Sequence, residues 1–202
     1  MKTLKKLWHF IWHDNSALSW IINVLLAFVV VKYILFPGLS LALGTSYPLV
    51  AVVSCSMEHN NKQECSLGHI NFDEWWEKNR NWYEGNEIYK DDFLNFKMFN
   101  GFNKGDIIIL KNPEYIVKGD IIVFRSTNVN PIIHRIVEIY TEDGVTYYKT
   151  KGDNNKDSIT LLGENKIPKD IIIGKAFFRV PYLGWIKVWF TDFLNVLGKV
   201  FL

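Results

Sequence analysis

The apolar run from Ala17 to Phe36 constrains this chain more than any other stretch, because Lys32 is its only charge. At about 1.5 Å rise per residue the run reaches about 30 Å, the thickness of a bilayer's hydrocarbon core, so 17–36 reads as a transmembrane helix. Lys32 lies near the far end, where its stem can snorkel. Asp14, Asn15 or Ser16 can cap the helix, and Pro37-Gly38 is expected to end it. A cleaved secretory signal is the competing reading. The run is too long for a typical signal core, and the chain downstream keeps a membrane-facing character, which favours an uncleaved anchor. Lys2, Lys5 and Lys6 precede the span, and apart from Lys32 no positive charge follows until Lys62. The positive-inside rule then puts residues 1–16, a basic and aromatic segment, in the cytoplasm and everything after Phe36 on the outer face.

Beyond the anchor, a chain of 202 residues has room for one domain of ordinary size. A net charge of +2 with no basic run argues against a nucleic-acid partner. Two cysteines, Cys55 and Cys65, exclude a disulfide scaffold and a Cys-rich zinc site; one bridge or two free thiols both remain open. Residues 39–49 stay apolar but contain Gly44 and Pro48, and read as a segment returning along the membrane surface to a strand at 49–54. From Lys104 onward the pattern becomes period-two strands bounded by glycine and proline, at 107–110, 121–124, 131–140, 145–150 and 170–180. Asp143-Gly144 is a strong hairpin signal between two of them. Short strands at this spacing predict a mainly β barrel or sandwich formed by residues 37–57 and 104–180. Residues 58–103, rich in aromatics, read as an inserted, partly helical subdomain. The tail, 181–202, carries Lys187, Asp192 and Lys199 among apolar residues, which favours an interfacial helix over a second span.

The chemistry-bearing residues follow the first strand. Val50-Ala51-Val52-Val53 runs into Ser54-Cys55-Ser56-Met57, where an apolar segment turns polar. Ser56 is the candidate nucleophile; a hydroxyl needs a base to take its proton. His134, in Ile133-His134-Arg135, is the candidate base, since imidazole exchanges protons near neutral pH. Asp153 and Asp157, in the loop after the hairpin, are the candidate acids that would orient the imidazole. A calcium loop is the weaker reading of that segment, because Lys151 and Lys156 sit among the would-be ligands. Ser54, or nearby backbone N–H groups including that of Ser56, could stabilise the oxyanion. Cys55 is a rival nucleophile, pointing to the opposite face if the strand continues.

At these residues the chain resembles the type I signal peptidases, and within them the archaeal and endoplasmic-reticulum branch that uses histidine where the bacterial branch uses lysine. Ser54-Cys55-Ser56-Met57 is similar to the family's Ser-x-Ser-Met box, Lys118-Gly119-Asp120 to its Gly-Asp strand, Ile133-His134-Arg135 to its His-Arg box, and Gly152-Asp153-Asn154 to its Gly-Asp-Asn box. The resemblance implies a signal-peptidase-like fold with Ser56 as nucleophile, His134 as base, Asp157 as the acid and Asp153 holding the loop. It implies a membrane-bound serine endopeptidase with no metal or organic cofactor, acting on signal-peptide-bearing preproteins at the bilayer. Accessory membrane subunits are candidate partners. Its expected place is the cell membrane, single-pass, with the catalytic domain outside, or facing the endoplasmic-reticulum lumen in a eukaryote. Three departures stand out. The family's aspartates are spaced more widely than Asp153 and Asp157, His59 stands where the family has proline, and residues 60–103 intervene before the first Gly-Asp strand. His59 is thereby a second candidate base. The alternative function is a non-catalytic anchored paralogue that binds membrane-proximal segments.

Overall fold

The structure, a computed structural model, describes residues 2–59, 65, 71–127 and 130–189. The chain divides into two compact units, residues 1–44 and 45–202. In the first, α1 (Lys2–His13) leads into α2 (Ala17–Val30). Ser16 caps α2, its Oγ accepting from the Ser19 N–H. Ser19 Oγ donates to the Phe10 carbonyl at 2.7 Å and Asn23 Nδ2 to that of Ile11 at 2.9 Å, which fixes α1 against the start of α2.

Pro37 does not end this helix. The backbone opens into a π-helical turn at Val31–Leu35, where the Phe36 N–H reaches back to the Val31 carbonyl, and continues as α3 (Phe36–Leu43). Proline lacks an N–H and crowds the carbonyl four residues earlier; the wider turn absorbs both defects. Gly44, at φ 64°, is the true stop, in the left-handed conformation glycine adopts without strain. Residues 39–43 therefore prolong the helix instead of returning toward the first strand. Ala17–Leu43 is one apolar, almost wholly exposed helix of 27 residues, long enough to cross a membrane.

The second unit is built on one seven-stranded antiparallel sheet in the order β1-β2-β7-β3-β4-β5-β6. The strands are β1 (Leu49–Ala51), β2 (Ile107–Lys111), β3 (Ile121–Phe124), β4 (Ile132–Glu142), β5 (Val145–Lys151), β6 (Ile167–Pro168) and β7 (Ile172–Val180). The mainly β expectation holds, and β3 shows why its sequence is apolar without alternation. Side chains alternate across a strand, so Ile121 and Val123 enter one core with Met57, Phe102, Ile108 and Leu110. Ile122 and Phe124 enter the other, with Ile132, Ile136 and Tyr148. The β4–β5 hairpin turns at Asp143 and Gly144, both at positive φ, as the primed hairpin turn requires.

One irregularity positions everything that follows. The β4–β5 register slips between Ile136 and Glu138, making Val137 a bulge. Val137 enters a third core, made by α4 (Phe72–Gly85) and α5 (Lys90–Leu94). Trp75, Trp76, Tyr83, Ile88 and Phe93 fill it with almost no exposure. Asn71 caps α4, its side chain accepting from the Asp73 N–H, and Asp73 and Glu74 in the first turn suit the helix dipole. Phe72, Trp82, Phe96 and Phe99 pack around this core, which rests on β4 through Val137.

Cys55 and Cys65 are bridged, with Cα atoms 5.2 Å apart. After β7 the chain turns at Gly184, whose N–H bonds the Gly105 carbonyl at 2.8 Å, and begins a helix at residues 185–189. The rest of the expected interfacial helix lies outside the described residues.

Candidate active site

β1 delivers the serine segment and then stops. The Val52 N–H bonds the Asp106 carbonyl at 2.8 Å and the Gly105 N–H bonds the Val52 carbonyl at 2.9 Å, after which residues 54–57 form a turn. Buried Met57 anchors that turn in the first core. Ser56 is half-buried, and its Oγ lies 3.1 Å from that of exposed Ser54. Cys55 between them is in the bridge and has no thiol to offer as a nucleophile.

The Gly152–Asn154 loop grips this turn from the other side. The Asn154 N–H donates to the Ser56 carbonyl at 2.8 Å, and Asn154 Nδ2 to the Cys55 carbonyl at 3.2 Å. Gly152 has no room for a side chain. A Cβ there would stand 2.7 Å from the Ser56 carbonyl oxygen and 2.8 Å from His134 Nε2. The serine segment and the imidazole thus meet at one glycine, three residues drawn together from three separate sequence boxes.

His134 lies on β4 opposite Ile122 and is almost fully buried. Its Nδ1 is bonded to Glu164 Oε1. Sequence reasoning did not single out Glu164. It follows Gly163, which is left-handed at φ 75° after a short 3-10 turn, and no motif marks it. The carboxylate is fully buried and satisfied by neutral donors as well: Thr150 Oγ1 at 3.2 Å and the Ile159 N–H at 2.6 Å. With a carboxylate accepting at Nδ1, the imidazole carries its proton there and keeps a lone pair on Nε2, which lies at Gly152 as the Ser56 carbonyl does.

The two aspartates stand elsewhere. Asp153 is fully buried and receives Arg135 Nε at 2.9 Å and Nη2 at 2.7 Å, a two-pronged ion pair. Tyr83 Oη adds a bond at 3.4 Å and His59 Nε2 another at 3.0 Å. Burial alone would push the Asp153 carboxyl up; the Arg135 guanidinium and the His59 and Arg135 hydrogen bonds outweigh it and hold it well below the usual carboxylate range. Burial, then the Asp153 charge, push the Tyr83 phenol well above its ordinary value. Asp157 accepts the Trp82 indole N–H at 3.0 Å and the Ser158 N–H at 2.7 Å.

Lys151, also buried, runs between the Trp82 and Tyr83 rings, 4.8 and 4.7 Å from their centroids. Burial lowers its amine to about 8 despite the nearby carboxylates. His59 is buried with its ring stacked on Trp75. The chemical inventory is therefore a hydroxyl, an imidazole held by a carboxylate, and a loop that fixes both.

No family model matches the chain. It is similar to the signal peptidase complex catalytic subunit sec11 of Schizosaccharomyces pombe, 32% identical over 189 residues, which are 89% of this chain and 85% of the relative. It is also similar to the signal peptidase complex catalytic subunit SEC11C of Homo sapiens, 33% identical over 107 residues, 50% of this chain and 56% of that protein. The Dictyostelium discoideum sec11 catalytic subunit is 34% identical over 106 residues, 50% of this chain and 59% of the relative. The chain spans a little over half the length of the mammalian relatives it matches.

Proposed function

The chain belongs to the family of the signal peptidase complex catalytic subunits, and from that premise we propose that it is a membrane-anchored serine endopeptidase that removes signal peptides from exported preproteins. In this reading Ser56 Oγ attacks the scissile carbonyl while His134 Nε2 takes its proton. Glu164 holds the ring through Nδ1 and stabilises the imidazolium that forms. Ser54 and the backbone N–H groups of the turn offer donors to the developing oxyanion. The imidazolium returns its proton to the departing amine, and water, deprotonated by the same nitrogen, releases the acyl-enzyme.

The observation that carries the reading is the Gly152 junction, where the Ser56 backbone and His134 Nε2 border one point while Nδ1 of the same ring is taken by a buried carboxylate. The partners of the other carboxylates support Glu164 as the orienting acid: Asp153 is neutralised by Arg135, and Asp157 faces an indole. The anchor at 17–43 is proposed to cross the bilayer once with the N-terminus cytoplasmic. That confines the enzyme and a signal helix to the same membrane. Accessory membrane subunits, as the names of the relatives suggest, are proposed partners.

The test is cleavage of a preprotein in detergent or vesicles by the parent, Ser56→Ala, His134→Gln, Glu164→Gln, Asp157→Asn and Asp153→Asn. Cleavage by the parent, lost in the serine and histidine variants and severely reduced by Glu164→Gln, is the expected result. A parent that binds preprotein without cutting, or a Ser56→Ala variant that cuts as the parent does, overturns the protease reading. An Asp157→Asn variant as impaired as Glu164→Gln returns the acid's role to the loop.

A further inference from the structure

We infer that His59 is a positioning residue through which the inserted aromatic unit fixes the catalytic loop; the inference rests on the protease reading of Ser56 and His134. His59 follows Ser56 by three residues and enters the insert's core at once. Its ring lies 3.7 Å from that of Trp75, centroid to centroid, at 3° between planes. Phe72 and Phe93 close around it. From inside that aromatic packing Nε2 reaches Asp153 Oδ2 at 3.0 Å. Arg135 keeps that carboxylate ionised, so the bond is an N–H donated to an anion, the strong kind.

Asp153 in turn is the hub of the loop that holds Ser56. Its own N–H points to Met57 Sδ at 3.4 Å, and the next residue, Asn154, donates to the Ser56 carbonyl. A closed circuit results: Ser56, Met57, His59, Asp153, Asn154, and back to Ser56. The circuit is braced where the insert returns to the sheet. Gly101, at φ 65°, packs so closely that a Cβ would stand 2.2 Å from the Met57 carbonyl oxygen and 2.7 Å from His59 Cδ2. Glu58 pairs with Gly101 across that gap. Tyr83, from α4, places a second insert side chain on Asp153.

This geometry gives His59 work other than proton abstraction. Its Nε2 already serves an arginine-paired carboxylate, and one face of the ring is covered by Trp75. The residues around its side chain belong to the insert and to the loop. The insert thereby acquires a role in the reaction: it is the frame that holds the loop, and His59 is the pin.

The experiment uses the full chain in detergent with a preprotein substrate, comparing His59→Leu and His59→Gln with the parent and with His134→Gln. Glutamine can donate from a position near Nε2 but cannot act as a base. Positioning predicts that His59→Leu lowers kcat roughly tenfold to a hundredfold with KM within about twofold, whereas His59→Gln stays within about threefold of the parent. If His59→Gln is as dead as His134→Gln, His59 itself moves a proton and the inference fails. It fails equally if His59→Leu cuts like the parent. Should His59→Leu not fold, His59→Asn, whose amide is too short to reach Asp153, takes its place with the same expected loss. Amide exchange over residues 152–158 is read in parallel and needs no catalysis. Faster exchange in the leucine or asparagine variant, restored to parental rates by glutamine, supports the pin even if the parent proves inactive; exchange unchanged in every variant overturns it.

Discussion

Among the described residues two buried histidine–carboxylate pairs stand out, His134–Glu164 and His59–Asp153, and they differ in what surrounds the acid. Glu164 is bonded by a hydroxyl and a backbone N–H besides the imidazole, so its charge is available to an imidazolium. Asp153 already answers a guanidinium through two bonds, so adding a proton to His59 would bring a second cation to one anion. The rings differ as well. His134 gives Nδ1 to its acid and leaves Nε2 beside the Ser56 segment, while His59 gives Nε2 to its acid and lays its face on Trp75. A buried histidine touching a carboxylate is therefore not yet a base. The nitrogen used, and the cation already on the acid, decide between a proton shuttle and a strut.

The sharpest separation of the pairs comes from making each acid neutral. Glu164→Gln is expected to cost roughly a thousandfold or more in kcat, read by preprotein cleavage, with a lower melting temperature because its amide NH2 must face a donor. Asp153→Asn, which strands Arg135, is expected to lower stability more than it lowers kcat. Equal behaviour of the two variants would break the comparison.

Next in size, Arg135→Met should destabilise the fold by about 3–5 kcal/mol in denaturant titrations, because it leaves Asp153 charged and buried without its partner. The sign with pH follows from the depressed Asp153 carboxyl. Its stabilisation is present above the unfolded aspartate value of about 3.9 and drains away as pH falls below it. The parent should lose stability over that window, and Arg135→Met should lose less.

Gly152→Ala should act on the proposed Ser56–His134 pair and on the Asn155 side chain beside it. Its Cβ would press the Ser56 carbonyl and His134 Nε2 apart, and a kcat reduction of roughly tenfold to a hundredfold is expected, with KM near the parent's. The smallest effect belongs to Lys151. An amine lowered to about 8 is already partly neutral in the fold while the unfolded chain stays protonated, so stability should rise by roughly 1 kcal/mol between pH 8 and 9. Lys151→Met should flatten that rise.

Much of the sheet was legible because burial imposes a pattern. The Ile121–Phe124 run, the Asp143-Gly144 turn and the Gly152-Asp153-Asn154 loop all sit where a short apolar run bounded by turn residues and glycine chemistry put them. The helix end was not, since nothing local distinguishes a proline that terminates a helix from one accommodated by a π turn; that depends on the backbone five residues back. Glu164 was invisible for another reason. It reaches His134 only through the pairing of β4 with β5 and the backbone bond from Thr150 to Glu164, contacts that no spacing encodes. The unusual closeness of Asp153 and Asp157 was the one hint that the acid could come from elsewhere. In the insert the sequence suggested partial helix, but not that Trp75, Trp76 and Tyr83 would form its buried face or that Tyr83 and His59 would converge on Asp153.

His134 and Arg135 are neighbours on β4, and a pleated strand sends neighbours to opposite faces. One carries the imidazole to Glu164, the other carries the guanidinium to Asp153, and two residues later the bulged Val137 seats the aromatic core. Three duties within four residues of one strand make it a common axle. Backbone movement there cannot retune the insert without also turning the imidazole. A graft of residues 60–103 onto a relative should accordingly hold the loop only if His59, which lies just outside that segment, is carried over with it.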